Sequence, residues 1–426
     1  MHAKKHLSFA ALRDFVSSRV ENIPDRRQES KVVHRVHDVV MSAFAMMFFQ
    51  DPSLLQFQKR MEDARQTSNL KTLFGVSSVP RDTCMRESLD RLDPKHLAPV
   101  FADFFREIQR SKELEQYRVF NSFYVAAIDG SSYFGSEKLH CPGCLMKKGR
   151  YEHQIVQVAM VHPGKRQVIP LCPEEVRNTD GRDKQDCEIN AGKRLIKSLR
   201  KDHPHLPLII VADSLYSKQP FIEALAKEHM RYVLVVKEED HKVLTEYVEG
   251  AKALKETSRL EAGDAKGRLH VYEWINGVPL NGNEDAPSVN WLSYELHDKG
   301  KRTYHNAWVS DLPADKKNVE ELARIGRCRW KIENETFNTL KNQGYHIEHN
   351  FGHGEEHLSF NFFLLNVLAF FMHQIFELTD HLYQACREKL GTKRNLWENL
   401  RVFMRSFFFS DWETLLRNVH TPSDFG

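Results

Sequence analysis

The feature that most restricts the fold is a pair of apolar runs that each stop at an aspartate. Phe120 to Ile128 is dense in β-branched and aromatic residues and ends at Asp129-Gly130, while Leu206 to Ala212 is aliphatic and ends at Asp213. Runs of this kind read as buried strands. Each delivers a carboxylate to a sheet edge, although an aspartate after a strand also serves simply to begin a turn.

The segments around these runs complete an order. Gln154 to Val161 and Gln167 to Leu171 read as strands joined by the hairpin-like His162-Pro163-Gly164-Lys165. Lys184 to Lys201 reads as a helix with Ile189, Leu195, Ile196 and Leu199 on its apolar side. After Asp213 come a helix, Gln219 to Glu228, and a strand, Tyr232 to Val236. The order is therefore strand with Asp, two hairpin strands, helix, strand with Asp, helix, strand.

Helical spacing dominates from Leu7 to Gln116, as in Val33, Val36, Val40 and Phe44. Within it, Asn69 to Gly75 closes one helix, and Ser77 to Thr83 leads into another carrying Arg86, Arg91 and Lys95. That pair reads either as a helix-turn-helix or as an ordinary helical hairpin. Strand-like runs at Arg268 to Ile275, Asn290 to Leu296 and Tyr304 to Val309 predict an all-β insertion, followed by a long helix from Lys317 to Asn342. The expected units are 1–116, a helical DNA-binding region; 117–236, the first part of an α/β core; 237–311, the β-rich insertion; 312–357, the rest of the core; and 358–426, helical.

The long helix carries Arg327-Cys-Arg-Trp-Lys-Ile-Glu-Asn-Glu-Thr-Phe337. This string is similar to the carboxylate helix of IS4-like insertion-sequence transposases, which runs Tyr, two residues, Arg, three residues, Glu, six residues, Lys, usually with Trp after the Arg and Ile before the Glu. Arg329, Trp330, Ile332 and Glu333 match in register. Gly326 stands where the pattern has Tyr, and Lys341 lies one residue beyond the lysine position, which Leu340 occupies. Ala127-Ile-Asp-Gly-Ser131, Lys184-Gln-Asp-Cys-Glu188 and Asn334 to Tyr345 also resemble this group of bacterial DDE transposases.

The resemblance implies an RNase H-like mixed sheet whose first and fourth strands set Asp129 and Asp213 on adjacent ends. Glu333 is then the third carboxylate, with Glu335 its competitor, and Arg329 and Lys341 contact DNA phosphates. The implied cofactors are two Mg²⁺ or Mn²⁺ ions about 3.5–4 Å apart. The implied reaction is cleavage at transposon ends followed by transfer of the freed 3′-hydroxyl into target DNA, with or without a hairpin intermediate. The implied partners are double-stranded DNA, as terminal inverted repeats and target, and a second copy of the chain when assembled on DNA. An RNase H-like nuclease without transposition, or a DNA-binding protein that has lost catalysis, is the alternative.

Charge agrees without deciding: 61 Lys and Arg against 58 Asp and Glu give a net +3, which leaves room for local basic surfaces. The most apolar stretch, Phe360 to Phe376, is broken by Asn361, Asn366, His373 and Gln374, so a cytoplasmic protein with no membrane span is expected. Its phenylalanines and Phe407, Phe408 and Phe409 are expected in a core. Seven cysteines are expected as reduced thiols, with Cys141 and Cys144 at zinc-knuckle spacing as candidate ligands of a structural Zn²⁺. Asp180, Asp183, Asp186 and Glu188 form an acidic cluster before and on the helix from Lys184 to Lys201; the preference of a helix dipole for acidic residues in the first turn explains Asp183 and Asp186 more simply than a metal site does. His346, His349, His353 and His357 lack an ordered ligand spacing and read as part of a DNA-facing or packing loop.

Overall fold

Two parallel strands, β2 (Phe123–Ser136) and β7 (Leu208–Ala212), form the centre of a mixed sheet. The computed structural model describes residues 4–25, 27, 32–120, 122–177 and 185–421. On one side of β2 lies antiparallel β4 (Arg150–Val161), bordered by β3 (Leu145–Lys147), β5 (Ile169–Pro170) and β6 (Glu174–Val176). On the other side β8 (Arg231–Val236) runs parallel to β7. A short β1 (Arg118–Val119) folds back on the start of β2. The five aliphatic residues of β7 are all buried, which explains their continuous apolar run.

Helices cross between these strands: α7 (Glu188–Asp202) joins β6 to β7, and α8 (Gln219–Lys227) joins β7 to β8. Antiparallel hairpin strands followed by helix-linked parallel strands make this the RNase H-like arrangement that the strand order predicted. The expected hairpin at 162–165 is present, with Met160 opposite Ile169.

The β-rich insertion does not stand apart. It opens with a helix, α9 (Lys242–Ala253), so it is not all-β as expected. Its strands β9 (Ser258–Gly263), β10 (Leu269–Pro279), β11 (Ser288–Asp298) and β12 (Lys301–Ser310) extend the same sheet, because β12 pairs antiparallel with β8.

The amino- and carboxy-terminal helices share one core. The former are α1 (Phe9–Glu21), α2 (Val36–Phe48), α3 (Leu54–Met61), α4 (Ala64–Phe74), α5 (Asp82–Asp90) and α6 (Ala98–Arg110). After α10 (Val319–Arg327) and α11 (Asn338–Asn342), described below, come α12 (Leu358–Thr379), α13 (His381–Lys389), α14 (Lys393–Ser406) and α15 (Trp412–His420). Phe9 packs against Phe48, Phe74 and Trp412, rings from both ends of the chain.

Helix α12 is long and apolar enough to cross a membrane, but most of it is buried in this core. Its polar residues are anchor points: Asn361 donates to the carbonyls of Leu89 and Leu92, and Asn366 to that of Tyr345, each at 2.7 Å. Of the phenylalanines assigned to the core, Phe408 is an exception and is exposed, at the turn between α14 and α15.

The helical pair at 64–90 is shorter than expected. Gly75 closes α4 in the left-handed conformation, but α5 ends at Asp90, leaving Arg91 and Lys95 outside it. Met85 and Leu89 of α5 are buried, and Arg86 faces solvent.

Candidate active site

Strand β2 is longer than the sequence implied, so Asp129 lies within it rather than at its end. What ends near Asp129 is the parallel pairing. Ala127 is the last residue of β2 in register with β7, opposite Val211, and β7 stops one residue later at Ala212. Two residues beyond that pair on each strand stand Asp129 and Asp213, at corresponding positions on one edge of the sheet. Beyond this point β2 continues against β4 alone, to Ser136 opposite Tyr151.

Asp129 accepts the Gly130 amide at 3.0 Å, and Asp213 accepts that of Leu215 at 3.0 Å. Burial pushes the Asp129 carboxyl up to about 7, with Arg329 opposing and the nearby Asp213 and Glu188 adding to the rise.

The long helix expected at 317–342 is interrupted, and the interruption sits at the signature. After α10 the chain tightens through Cys328 and Arg329, whose amides bond back three residues, to Ile325 and Gly326. It then widens into a π-helical turn, Ile332–Phe337, before α11. Arg329, at the tight turn, reaches Asp129 at 3.3 Å and Glu333 at 3.4 Å. Glu335 points elsewhere and pairs with Arg166 at 3.5 Å.

The same geometry accounts for both departures from the signature. A Cβ on Gly326 would stand 2.6 Å from the Trp308 indole nitrogen, so Trp308 of β12 fills the space that a tyrosine would need. The π-turn accommodates about one extra residue in the helix. Lys341 therefore takes the face that residue 340 would have in an unbroken α-helix, and Leu340 turns into the core. Lys341 pairs with Glu348 at 2.9 Å.

A fourth carboxylate joins this edge. Glu188 is the first residue of α7; it accepts the Tyr216 hydroxyl at 2.9 Å and lies against Gly130, where any Cβ would collide with its carboxylate. Burial raises its carboxyl and Tyr216 opposes that rise, while the charge of Asp213 adds to it and that of Lys147 offsets it. Its place in an acidic cluster at a helix start masked it in the sequence; the signal available was the string Lys184-Gln-Asp-Cys-Glu188, which resembles the same transposase group. Asp186, by contrast, is held by Arg194 at 2.8 Å. Asp180 and Asp183 lie outside the described residues.

The donors at this edge are carboxylate oxygens, the chemistry suited to Mg²⁺ or Mn²⁺. They are not drawn round a single point. Among the described residues, the one set of three or more ligating side chains whose ligand atoms lie within 4.8 Å of one another is Cys141, Cys144, His153 and His353. Neither histidine was expected there, and Cys172 and Cys187 are not part of the set.

A family model described as "Transposase DDE domain" matches residues 131–372, more than half of the chain. The chain belongs to this family of DDE transposases. Asp213, Arg329, Glu333 and Lys341 fall inside the matched stretch, and Asp129 lies two residues before it. No curated protein sequence matches the chain. Among solved structures, the piggyBac transposase synaptic complex with hairpin DNA is similar at a TM-score of 0.43 and 13% identity, covering 98% of this chain and 80% of that one. Likeness at that level adds nothing to the family assignment.

Proposed function

We propose that the protein cuts DNA at the ends of its transposable element and transfers the freed 3′-hydroxyl into target DNA. Asp129, Asp213 and Glu333 would hold the two divalent ions, Mg²⁺ or Mn²⁺, and Glu188 stands beside them. When bound, such ions supply an activated attacking oxygen and stabilise the leaving oxygen in an in-line displacement. The observation that carries this reading is the placement of Asp129 and Asp213 each two residues past the last paired residues of β2 and β7, with one guanidinium, Arg329, touching both Asp129 and Glu333.

Arg329 pairs with two of the carboxylates, Asp129 and Glu333. With DNA present its two donors are free to turn to phosphate oxygens, for which a planar fork is well suited. Lys341 would contact the backbone further along, exchanging Glu348 for phosphate. Its partners on this reading are double-stranded DNA and a second copy of the chain on paired ends. Work in the cytoplasm, on the nucleoid, follows from the same proposal.

The test is to incubate the protein with Mg²⁺, labelled linear DNA carrying the element's ends, and a target plasmid. Covalent joining of labelled ends to the plasmid is the expected result. Cleavage without joining would favour a nuclease outside transposition, and binding without cleavage a protein that has lost catalysis.

A further inference from the structure

Cys141, Cys144, His153 and His353 share no residue with the carboxylate edge and converge from three parts of the chain. Cys141 and Cys144 lie in the turn between β2 and β3. His153 is on β4, opposite Phe134, at the point where the β2–β4 register shifts. His353 belongs to the segment between α11 and α12. The two sulfurs are 3.9 Å apart, the His153 Nε2 is 3.6 Å from each, and the His353 Nε2 is 3.5 Å from the Cys144 sulfur.

These separations have a simple meaning. A tetrahedral zinc with Zn–S near 2.3 Å and Zn–N near 2.05 Å has S···S, S···N and N···N edges of about 3.8, 3.5 and 3.3 Å. The four measured distances follow those edges. The two sulfurs are not bonded to each other at this separation. The outer shell fits as well: Nδ1 of His153, buried, faces a Glu175 oxygen at 3.6 Å, the carboxylate placement that orients zinc-bound histidines.

We infer that these four side chains bind one structural Zn²⁺, which ties the root of the β3–β4 hairpin to the segment leading into α12. The ion joins two stretches about two hundred residues apart in sequence. The hairpin it roots carries Lys147, Lys148 and Arg150, all exposed, and Lys147 is close enough to act on the charge of Glu188. The far side of the clamp adjoins Asp90 of α5, whose carboxylate accepts the amides of Glu355, Glu356, His357 and Leu358. Zinc thereby sets the distance between the basic hairpin, the carboxylates and the amino-terminal helices. It shares no ligand with the carboxylate edge, so this inference stands apart from the proposed catalysis.

The test uses the full chain purified without a polyhistidine tag. Elemental analysis should find one zinc per chain, and Co²⁺ in its place should give tetrahedral absorption with thiolate charge transfer. Cys144→Ser and the partly exposed His353→Asn should weaken zinc binding at least about tenfold, and Glu175→Gln by a similar factor through His153. Asp129→Ala should retain zinc. Chelation should speed proteolysis within 343–357. A folded wild-type protein without zinc and with octahedral Co²⁺ absorption would overturn the inference, as would full zinc affinity in both ligand variants.

Discussion

At Asp129 burial outweighs the help of Arg329, and this has a measurable consequence. A carboxyl raised to about 7 keeps its proton in the folded state at pH values where the unfolded chain, near 4, has lost it. The folded state thus binds more protons between about pH 4 and 7, and the stability of the metal-free protein falls as pH rises through that window. Asp129→Asn removes the buried charge. We expect its advantage in thermal or urea unfolding to be small at pH 4 and to grow to about 4 kcal/mol above pH 7. An advantage independent of pH would contradict this account of the site. Gly130 makes a second residue-scale prediction. Its Cβ-free backbone admits Glu188, so Gly130→Ala should cost about 1–3 kcal/mol of stability. Adding Glu188→Ala should recover part of that loss.

At the scale of elements, the carboxylate helix shows what the sequence made legible and what it concealed. Arg329, Trp330, Ile332 and Glu333 were recognisable as a string, and Asp129 and Asp213 as ends of apolar runs. The tight turn at Cys328–Arg329 and the π-turn after it were not, because no local residue preference marks either and both depend on packing against the sheet. The misfit at Leu340 and Lys341 was visible, but its cause was not. Gly326 likewise became intelligible only through Trp308, eighteen residues earlier on a different element. Gly326→Ala should therefore destabilise the protein by about 1–3 kcal/mol, and combining it with Trp308→Phe should restore part of the loss in a double-mutant cycle of unfolding free energies. Strict additivity would show that the two residues do not compete for space.

At the scale of the whole molecule, the chain folds as one sheet flanked by a helical core built from both of its ends. Local periodicity revealed helices and strands in the right order, but not that β12 would continue the sheet from β8, nor that α12 would pack among the amino-terminal helices. His353 remained hidden for the same reason: its cysteine partners lie far away in sequence, and only the folded chain brings them together. Asp90 is the residue on which the two ends meet most directly, since it caps the start of α12 from α5. Asp90→Ala should lower unfolding free energy by about 1–2 kcal/mol, as loss of a helix cap does, and should leave the zinc ligands in place.

The account rests on Asp129, Asp213 and Glu333 acting together, and nicking of plasmid DNA bearing the element's ends, with Mg²⁺ or Mn²⁺, tests this most directly. Wild type and Glu335→Ala should nick. Asp129→Ala, Asp213→Ala and Glu333→Ala should each lose at least about a hundredfold in rate while remaining folded. Equal activity in all of these proteins, or loss in Glu335→Ala with retention in Glu333→Ala, would contradict the assignment.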